Sequence, residues 1–153
     1  MEIQTHQAEG KRLGRVLVVD DEADVRKPIR LTLTKAGYEV VEAEDGEHAI
    51  AILDSDDYPF KVNIILCDIR MPRVSGAEAI SYFRMRYPFV PVVVLTGYPD
   101  VELAVHVMKQ GVQDFLIKPV SRDRLLSAIE KAVDRSDIFT DQCAAWPEGP
   151  IPT

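Results

Sequence analysis

Five short apolar runs rich in Val and Ile alternate with five amphipathic stretches between residues 16 and 134. The runs are VLVVD (16–20), EVVEA (39–43), VNIILC (62–67), PVVVL (91–95) and DFLIK (114–118). Strands that alternate with helices form a parallel sheet with helices on both faces. The pattern therefore predicts an α/β protein with a doubly wound (βα)5 parallel sheet. If the strand order is the flavodoxin-like 2-1-3-4-5, the first and third strands are neighbours.

Turn and cap residues divide the chain in the same way. Gly37 and Gly111 lie where helices are expected to end, and Ser75 with Glu78 predicts a capping box at the start of the third helix. We expect one domain over residues 14–136, after a flexible N-terminal segment at 1–13. Three prolines in the last seven residues predict a loosely ordered tail at 137–153.

The charge of the chain limits its partners. It has 18 Lys and Arg against 25 Asp and Glu, a net charge of −7, which disfavours direct nucleic acid binding through phosphate contacts. No apolar run approaches the length that crosses a bilayer, so we expect no membrane contact and a cytoplasmic location. The two cysteines, Cys67 and Cys143, do not suggest a disulfide framework, because Cys67 lies inside an apolar strand pattern, where a free thiol behaves as a small hydrophobic residue.

Polar residues follow the predicted strands at their carboxyl ends. The first strand ends at Asp20 and Asp21, the third at Asp68, the fourth at Thr96 and the fifth at Lys118. Ligand sites of open α/β sheets form at these ends, beside the point where the strand order reverses. We therefore expect the three aspartates to meet there, with Thr96 and Lys118 beyond them.

Three carboxylates at one site need a compensating charge. Two carboxylates about 4 Å apart repel by roughly 4 kcal/mol at an effective dielectric constant near 20. Mg²⁺, with Mn²⁺ as a substitute, suits an all-oxygen donor set, whereas the scattered histidines offer no zinc site. A carboxylate beside a metal and an ammonium group predicts phosphoryl transfer to an aspartate, and Asp68 is the best-placed acceptor.

Each of these residues also has a purely structural explanation. Asp20, Asp21 and Thr96 are residue types that cap helices, and Lys118 with Pro119 can form a simple turn. The functional interpretation depends on finding all of them together at the ends of the predicted strands.

Four segments resemble one known family. They are VLVVDDE (16–22), IILCDIRMPRVSG (64–76), VVVLTGY (92–98) and DFLIKP (114–119). Together they are similar to the receiver domain of bacterial two-component response regulators, the CheY-like superfamily, over about residues 14–135. The resemblance implies a phosphorylation-activated signalling switch with self-catalysed phosphoryl transfer and slow autodephosphorylation, rather than a turnover enzyme.

The resemblance also implies roles for individual residues. Asp68 would accept a phosphoryl group from a sensor histidine kinase or a phosphotransfer protein. Asp20, Asp21, Asp68 and the backbone carbonyl of Arg70 would bind Mg²⁺. Lys118 would pair with the acceptor, and its bond to Pro119 would be cis.

A second group of residues would connect phosphorylation to output. Thr96 would move to the phosphoryl oxygen, and Phe115 would turn inward as the switch aromatic. Arg70, Gly97 and Tyr98 would set the access of water to the acyl phosphate. The fourth helix, fifth strand and fifth helix would then present an altered face to a downstream protein target or output domain, or to a second copy in a phosphorylation-dependent homodimer.

Three rival functions follow from the same pattern. A haloacid-dehalogenase-like phosphatase needs an acidic residue two positions after the nucleophile, where Arg70 stands. A receiver fold without phosphorylation chemistry is disfavoured by the full set of site residues. A flavin-binding protein needs a Ser/Thr/Gly-rich phosphate loop after the first strand, and the sequence there is DDEADV. The sequence shows no helix-turn-helix, ATPase motif or basic patch, so we expect the output in a partner or another domain.

Overall fold

A computed structural model of the chain describes residues 13–55, 62–69, 76–97 and 101–144, with side chains included up to residue 134. Strands and helices alternate along these residues. The strands are β1 (Arg15–Val19), β2 (Glu39–Ala43), β3 (Ile64–Cys67), β4 (Val92–Thr96) and β5 (Asp114–Ile117). The helices are α1 (Ala23–Lys35), α2 (Gly46–Asp54), α3 (Gly76–Arg86), α4 (Val101–Lys109) and α5 (Arg122–Ala144).

The strands form one parallel sheet in the order β2-β1-β3-β4-β5, which confirms the predicted topology. β1 and β3 are adjacent, and Val19 pairs with Cys67 at their carboxyl ends. The next residues, Asp20 and Asp68, therefore leave the sheet side by side. The predicted strands agree with the observed ones to within two residues at each end.

Alternate residues of each strand face opposite sides of the sheet, and each side has its own core. In β1, Leu17 and Val19 pack in a cluster that contains Phe83 of α3. Val16 and Val18 pack in a second cluster that contains Ile129 of α5. Because both faces are apolar, the strands are almost continuous hydrophobic runs, as expected for a sheet that helices cover on two sides.

Local signals fix several helix ends. Gly37 and Gly111 have φ angles of 105° and 90°, as expected after a helix C-terminus. Asp45 is the N-cap of α2, and its carboxylate accepts a 2.7 Å hydrogen bond from the His48 backbone N–H. The predicted capping box of α3 involves Ser75, which lies outside the described residues.

Replacing Asp45 with Ala is expected to lower the free energy of unfolding by about 1 kcal/mol, because the cap of α2 is lost. Thermal or urea unfolding monitored by circular dichroism measures this change. Glu47→Ala is the matched control, since Glu47 is an exposed acidic residue of the same first turn. Equal destabilisation by both substitutions would show that the carboxylate of Asp45 does not act as a cap.

The last helix ends beyond the expected domain boundary. The domain was expected to end at residue 136, but α5 continues to Ala144. No Gly or Pro interrupts the sequence between Arg122 and Trp146, and Pro147 is the first helix breaker. Although α5 has 23 residues, neither it nor another helix in the described ranges is apolar enough to cross a bilayer.

Candidate functional site

Three aspartates meet at the carboxyl ends of β1 and β3. One carboxylate oxygen from each of Asp20, Asp21 and Asp68 lies within 4.8 Å of the others. Asp20 and Asp68 are 2% and 6% exposed, whereas Asp21 is exposed to solvent. The cluster is therefore open on one side and enclosed by the sheet on the other.

The parallel sheet places these residues through its backbone hydrogen bonds. The Asp68 N–H donates to Val19 O at 2.9 Å, and the Asp20 N–H donates to Ala43 O at 3.1 Å. These bonds continue the pairing one residue beyond the strands. Main-chain hydrogen bonds therefore fix the positions of both aspartates independently of their side-chain contacts.

Lys118 reaches the cluster from the end of β5. Its Nζ lies 2.8 Å from Asp20 Oδ2 and 3.1 Å from Asp68 Oδ2. Burial alone would lower the pKa of Lys118, but the hydrogen bonds and negative charges of the two aspartates outweigh burial and raise the pKa. The ammonium group is thus charged at neutral pH and bridges β1, β3 and β5.

The donor atoms of the cluster suit a hard divalent cation. The Lys118 ammonium group pairs with two of the three carboxylates, and the three carboxylates supply only oxygen ligands, which Mg²⁺ prefers. The neighbouring thiol of Cys67 is fully buried, and burial, with further contributions from Asp68 and Asp20, raises its pKa. A buried thiol with a raised pKa is a poor nucleophile, because the thiolate is the reactive form.

Asp20 is held by contacts from three sides. Its Oδ1 accepts a 2.9 Å hydrogen bond from the Glu22 N–H, and its Oδ2 contacts Lys118. Its backbone carbonyl accepts a 2.5 Å hydrogen bond from Nη1 of Arg26. Arg26 was not a candidate from the sequence, because a charged residue five positions after Asp21 carries no recognisable pattern.

The two candidate switch residues lie on neighbouring strands. Thr96 ends β4 and is fully buried, and the Lys118 N–H donates to its carbonyl at 2.8 Å. Phe115 of β5 is half-buried and packs against the cluster that contains Phe83. Thr96 falls on the same side of β4 as Val94, a member of that cluster, so Thr96 and Phe115 share one face of the sheet.

The candidate access residues are only partly described. Gly97 is exposed, and a Cβ atom there would meet Lys118 side-chain carbons at 3.8 and 3.9 Å, which is ordinary contact. Arg70 and Tyr98, including the Arg70 carbonyl expected at the metal, lie outside the described residues. The bond between Lys118 and Pro119 is cis, as predicted.

The chain was compared with known protein families. A family model for the response regulator receiver domain matches residues 16–130. The chain belongs to this family. This match confirms the resemblance noted in the sequence. Members of the family act in phosphorylation-dependent signalling.

Individual relatives agree with this assignment. The transcriptional regulatory protein GlrR of Escherichia coli is 35% identical over 129 residues, which are 84% of this chain and 28% of GlrR. The DNA-binding transcriptional regulator NtrC of Salmonella typhimurium is 32% identical over 78% of this chain and 25% of NtrC. The chain thus spans under a third of the length of these curated relatives.

A solved structure shows the same fold. The response regulator receiver domain protein from Clostridium thermocellum is 28% identical and superposes with a TM-score of 0.76. The match covers 82% of this chain and 98% of that protein chain. The receiver fold therefore accounts for nearly all of the described residues.

Proposed function

We propose that the chain is a signalling switch that accepts a phosphoryl group on Asp68 from a sensor histidine kinase or a phosphotransfer protein. The observation that carries this proposal is the joint placement of three aspartates and Lys118 at the ends of adjacent strands. Receiver-family membership supports it independently.

Asp68 is the acceptor in this proposal because it ends the central strand β3, between β1 and β4. A carboxylate oxygen of Asp68 forms a bond to phosphorus while the bond from phosphorus to the donor histidine nitrogen breaks. The imidazole leaves, and an acyl phosphate remains on Asp68. Later attack of water on phosphorus releases phosphate and restores the carboxylate.

Asp20, Asp21, Asp68 and the backbone carbonyl of Arg70 hold Mg²⁺ in this proposal, and Mn²⁺ is an acceptable substitute. A bound divalent cation supplies positive charge at the phosphoryl oxygens during transfer. The oxygen-only donor set and its negative charge support this assignment.

Lys118 holds the acceptor before transfer and then contacts the phosphoryl oxygens. Its ammonium group lies within hydrogen-bond distance of Asp68 Oδ2, so a small shift brings it to an oxygen attached to phosphorus. Preorganised positive charge of this kind stabilises a transition state without reorganisation of solvent.

Thr96 and Phe115 transmit the change in this proposal. The Thr96 hydroxyl moves to a phosphoryl oxygen, and Phe115 turns into the space that Thr96 leaves. The affected face consists of α4, β5 and α5. Up to residue 134, where side chains are described, this face carries four exposed large apolar side chains, a feature of protein contact surfaces: Val101, Val105, Met108 and Ile117.

The lifetime of the phosphorylated form depends on access of water to Asp68. We propose that Gly97 leaves room for the phosphoryl group and that Arg70 and Tyr98 shield it, so that autodephosphorylation is slow. This proposal rests on the positions of Arg70 and Tyr98 in the sequence.

The partners follow from the curated relatives. GlrR is a transcriptional regulatory protein and NtrC a DNA-binding transcriptional regulator, and each is much longer than the matched part. We therefore propose that the α4–β5–α5 face acts on an output domain or a downstream protein target, or forms a phosphorylation-dependent homodimer. A cytoplasmic location fits a switch that is phosphorylated by a sensor histidine kinase.

The test is phosphorylation by a small donor. Purified protein is incubated with acetyl phosphate and Mg²⁺ and its intact mass is followed. We expect a gain of one phosphoryl group that hydroxylamine removes, because an acyl phosphate is labile to this nucleophile. The parallel sample with EDTA should gain none.

Two results would contradict the proposal. One is uptake that is equally fast with EDTA, which would show that the carboxylate cluster does not need a metal. The other is no uptake together with no binding of beryllofluoride, a phosphoryl mimic, by a protein that is folded and binds Mg²⁺.

A further inference from the structure

Arg26 connects α1 to the ends of β1 and β2. Its Nη1 donates to the carbonyl of Asp20 at 2.5 Å, and its Nε donates to Glu42 Oε1 at 3.0 Å. Glu42 lies on β2 and pairs in register with Val18 of β1. The Arg26 side chain is only 16% exposed, so these contacts are largely shielded from solvent.

We infer that Arg26 is a positioning residue for the metal site and acts through the Asp20–Asp21 peptide group. This inference rests on the proposed function. The carbonyl that Arg26 holds belongs to the same planar peptide unit as the Asp21 nitrogen. Fixing that plane limits the directions in which the Asp21 side chain can leave the backbone.

Asp21 is the aspartate that most needs such control. Asp20 is fixed through its carboxylate by the Glu22 N–H and Lys118, and Asp68 is buried in the sheet. Asp21 is exposed to solvent, yet its carboxylate lies within 4.8 Å of the other two. Its orientation therefore depends on the peptide that precedes it.

Glu42 keeps Arg26 in place and balances its charge. Arg30, one turn later on α1, also approaches Glu42, with its Nε 3.5 Å from Oε2. Arg30 is therefore a matched control, since it shares the helix and the acidic partner of Arg26. Its described ion pair is with Glu42, whereas Arg26 also holds the Asp20 carbonyl.

A positioning role and a simple charge effect predict opposite results. If Arg26 acted only through its positive charge, its removal would strengthen the binding of a cation nearby. If Arg26 positions Asp21, its removal weakens binding, because a metal ligand loses its fixed direction. The sign of the change in affinity therefore separates the two.

The experiment measures binding of Mn²⁺ to the full chain by electron paramagnetic resonance or calorimetry, in the wild type, Arg26→Met and Arg30→Met. We expect Arg26→Met to bind Mn²⁺ about tenfold more weakly, in line with the loss of other residues that orient metal ligands. Arg30→Met should stay within about twofold of wild type, because its partly exposed pair contributes little.

Thermal unfolding without metal shows whether each variant folds. If Arg26→Met does not fold, Arg26→Lys replaces it in the experiment. Lys keeps the charge but its single ammonium group cannot reproduce the two-point contact of the guanidinium. We expect Arg26→Lys to bind Mn²⁺ more weakly than wild type. Wild-type affinity in this variant would overturn the inference.

Unchanged or tighter Mn²⁺ binding by Arg26→Met would overturn the inference while the proposed function stands, provided that the wild type still takes up a phosphoryl group with Mg²⁺. A wild type that binds no Mn²⁺ would overturn both. Equal weakening by Arg26→Met and Arg30→Met would assign the effect to Glu42 and overturn the positioning role.

Discussion

Replacing Asp68 with Asn is expected to abolish uptake of a phosphoryl group from acetyl phosphate in the presence of Mg²⁺. An amide lacks the negative charge and the nucleophilic oxygen of a carboxylate, so no acyl phosphate can form at this position. The intact mass of the variant should stay at its starting value while the wild type gains one phosphoryl group.

Asp134→Asn is the matched control for this experiment. It removes the same charge from an exposed position of α5, and we expect its uptake to equal that of the wild type. A phosphoryl gain that persists in Asp68→Asn would place the acceptor at another residue. The same loss in Asp134→Asn would show that uptake depends on net charge instead of on Asp68.

The geometry explains why Asp68 is a better candidate than its neighbours. Both carboxylate oxygens of Asp20 already accept hydrogen bonds, from the Glu22 N–H and from Lys118. Asp21 is exposed to solvent, where water competes with any partner. Asp68 combines burial with a contact to Lys118, and it follows the central strand β3, which lies between β1 and β4.

The positions of the strands could be predicted from the sequence because helices cover both faces of the sheet. Buried strands such as IILC and VVVLT read as continuous apolar runs, and their ends are marked by Asp68 and Thr96. The flavodoxin-like strand order 2-1-3-4-5, taken as a condition from the sequence, is the one observed, and it brings Asp20, Asp21, Asp68 and Lys118 together. Local pattern and long-range topology agree in this part of the chain.

The contacts that support the site were not predictable in the same way. Arg26 and Glu42 look like ordinary charged residues of an amphipathic helix and an edge strand, and only the fold shows that Arg26 contacts both Glu42 and the Asp20 carbonyl. The C-terminal end of α5 could not be predicted for a different reason. The apolar spacing becomes less regular after Val133, although no residue before Pro147 prevents a helix.

Replacing Lys118 with Met is expected to change two properties in opposite directions. The rate of phosphoryl uptake should fall by about a hundredfold or more, a loss typical of removing one preorganised group that stabilises a transition state. Mn²⁺ should bind more tightly, because the ammonium group 2.8 Å from Asp20 and 3.1 Å from Asp68 no longer repels the cation. Time-resolved intact mass and Mn²⁺ titration measure the two changes.

Lys35→Met is the control for Lys118, since it removes an equal charge from the exposed last turn of α1. We expect it to leave both properties as in the wild type. Weaker metal binding by Lys118→Met would mean that Lys118 mainly holds the aspartates in place, because loss of that scaffold would then outweigh the loss of repulsion. Tighter binding with unchanged uptake would instead remove Lys118 from the transfer step and leave it as a charge partner of the resting site.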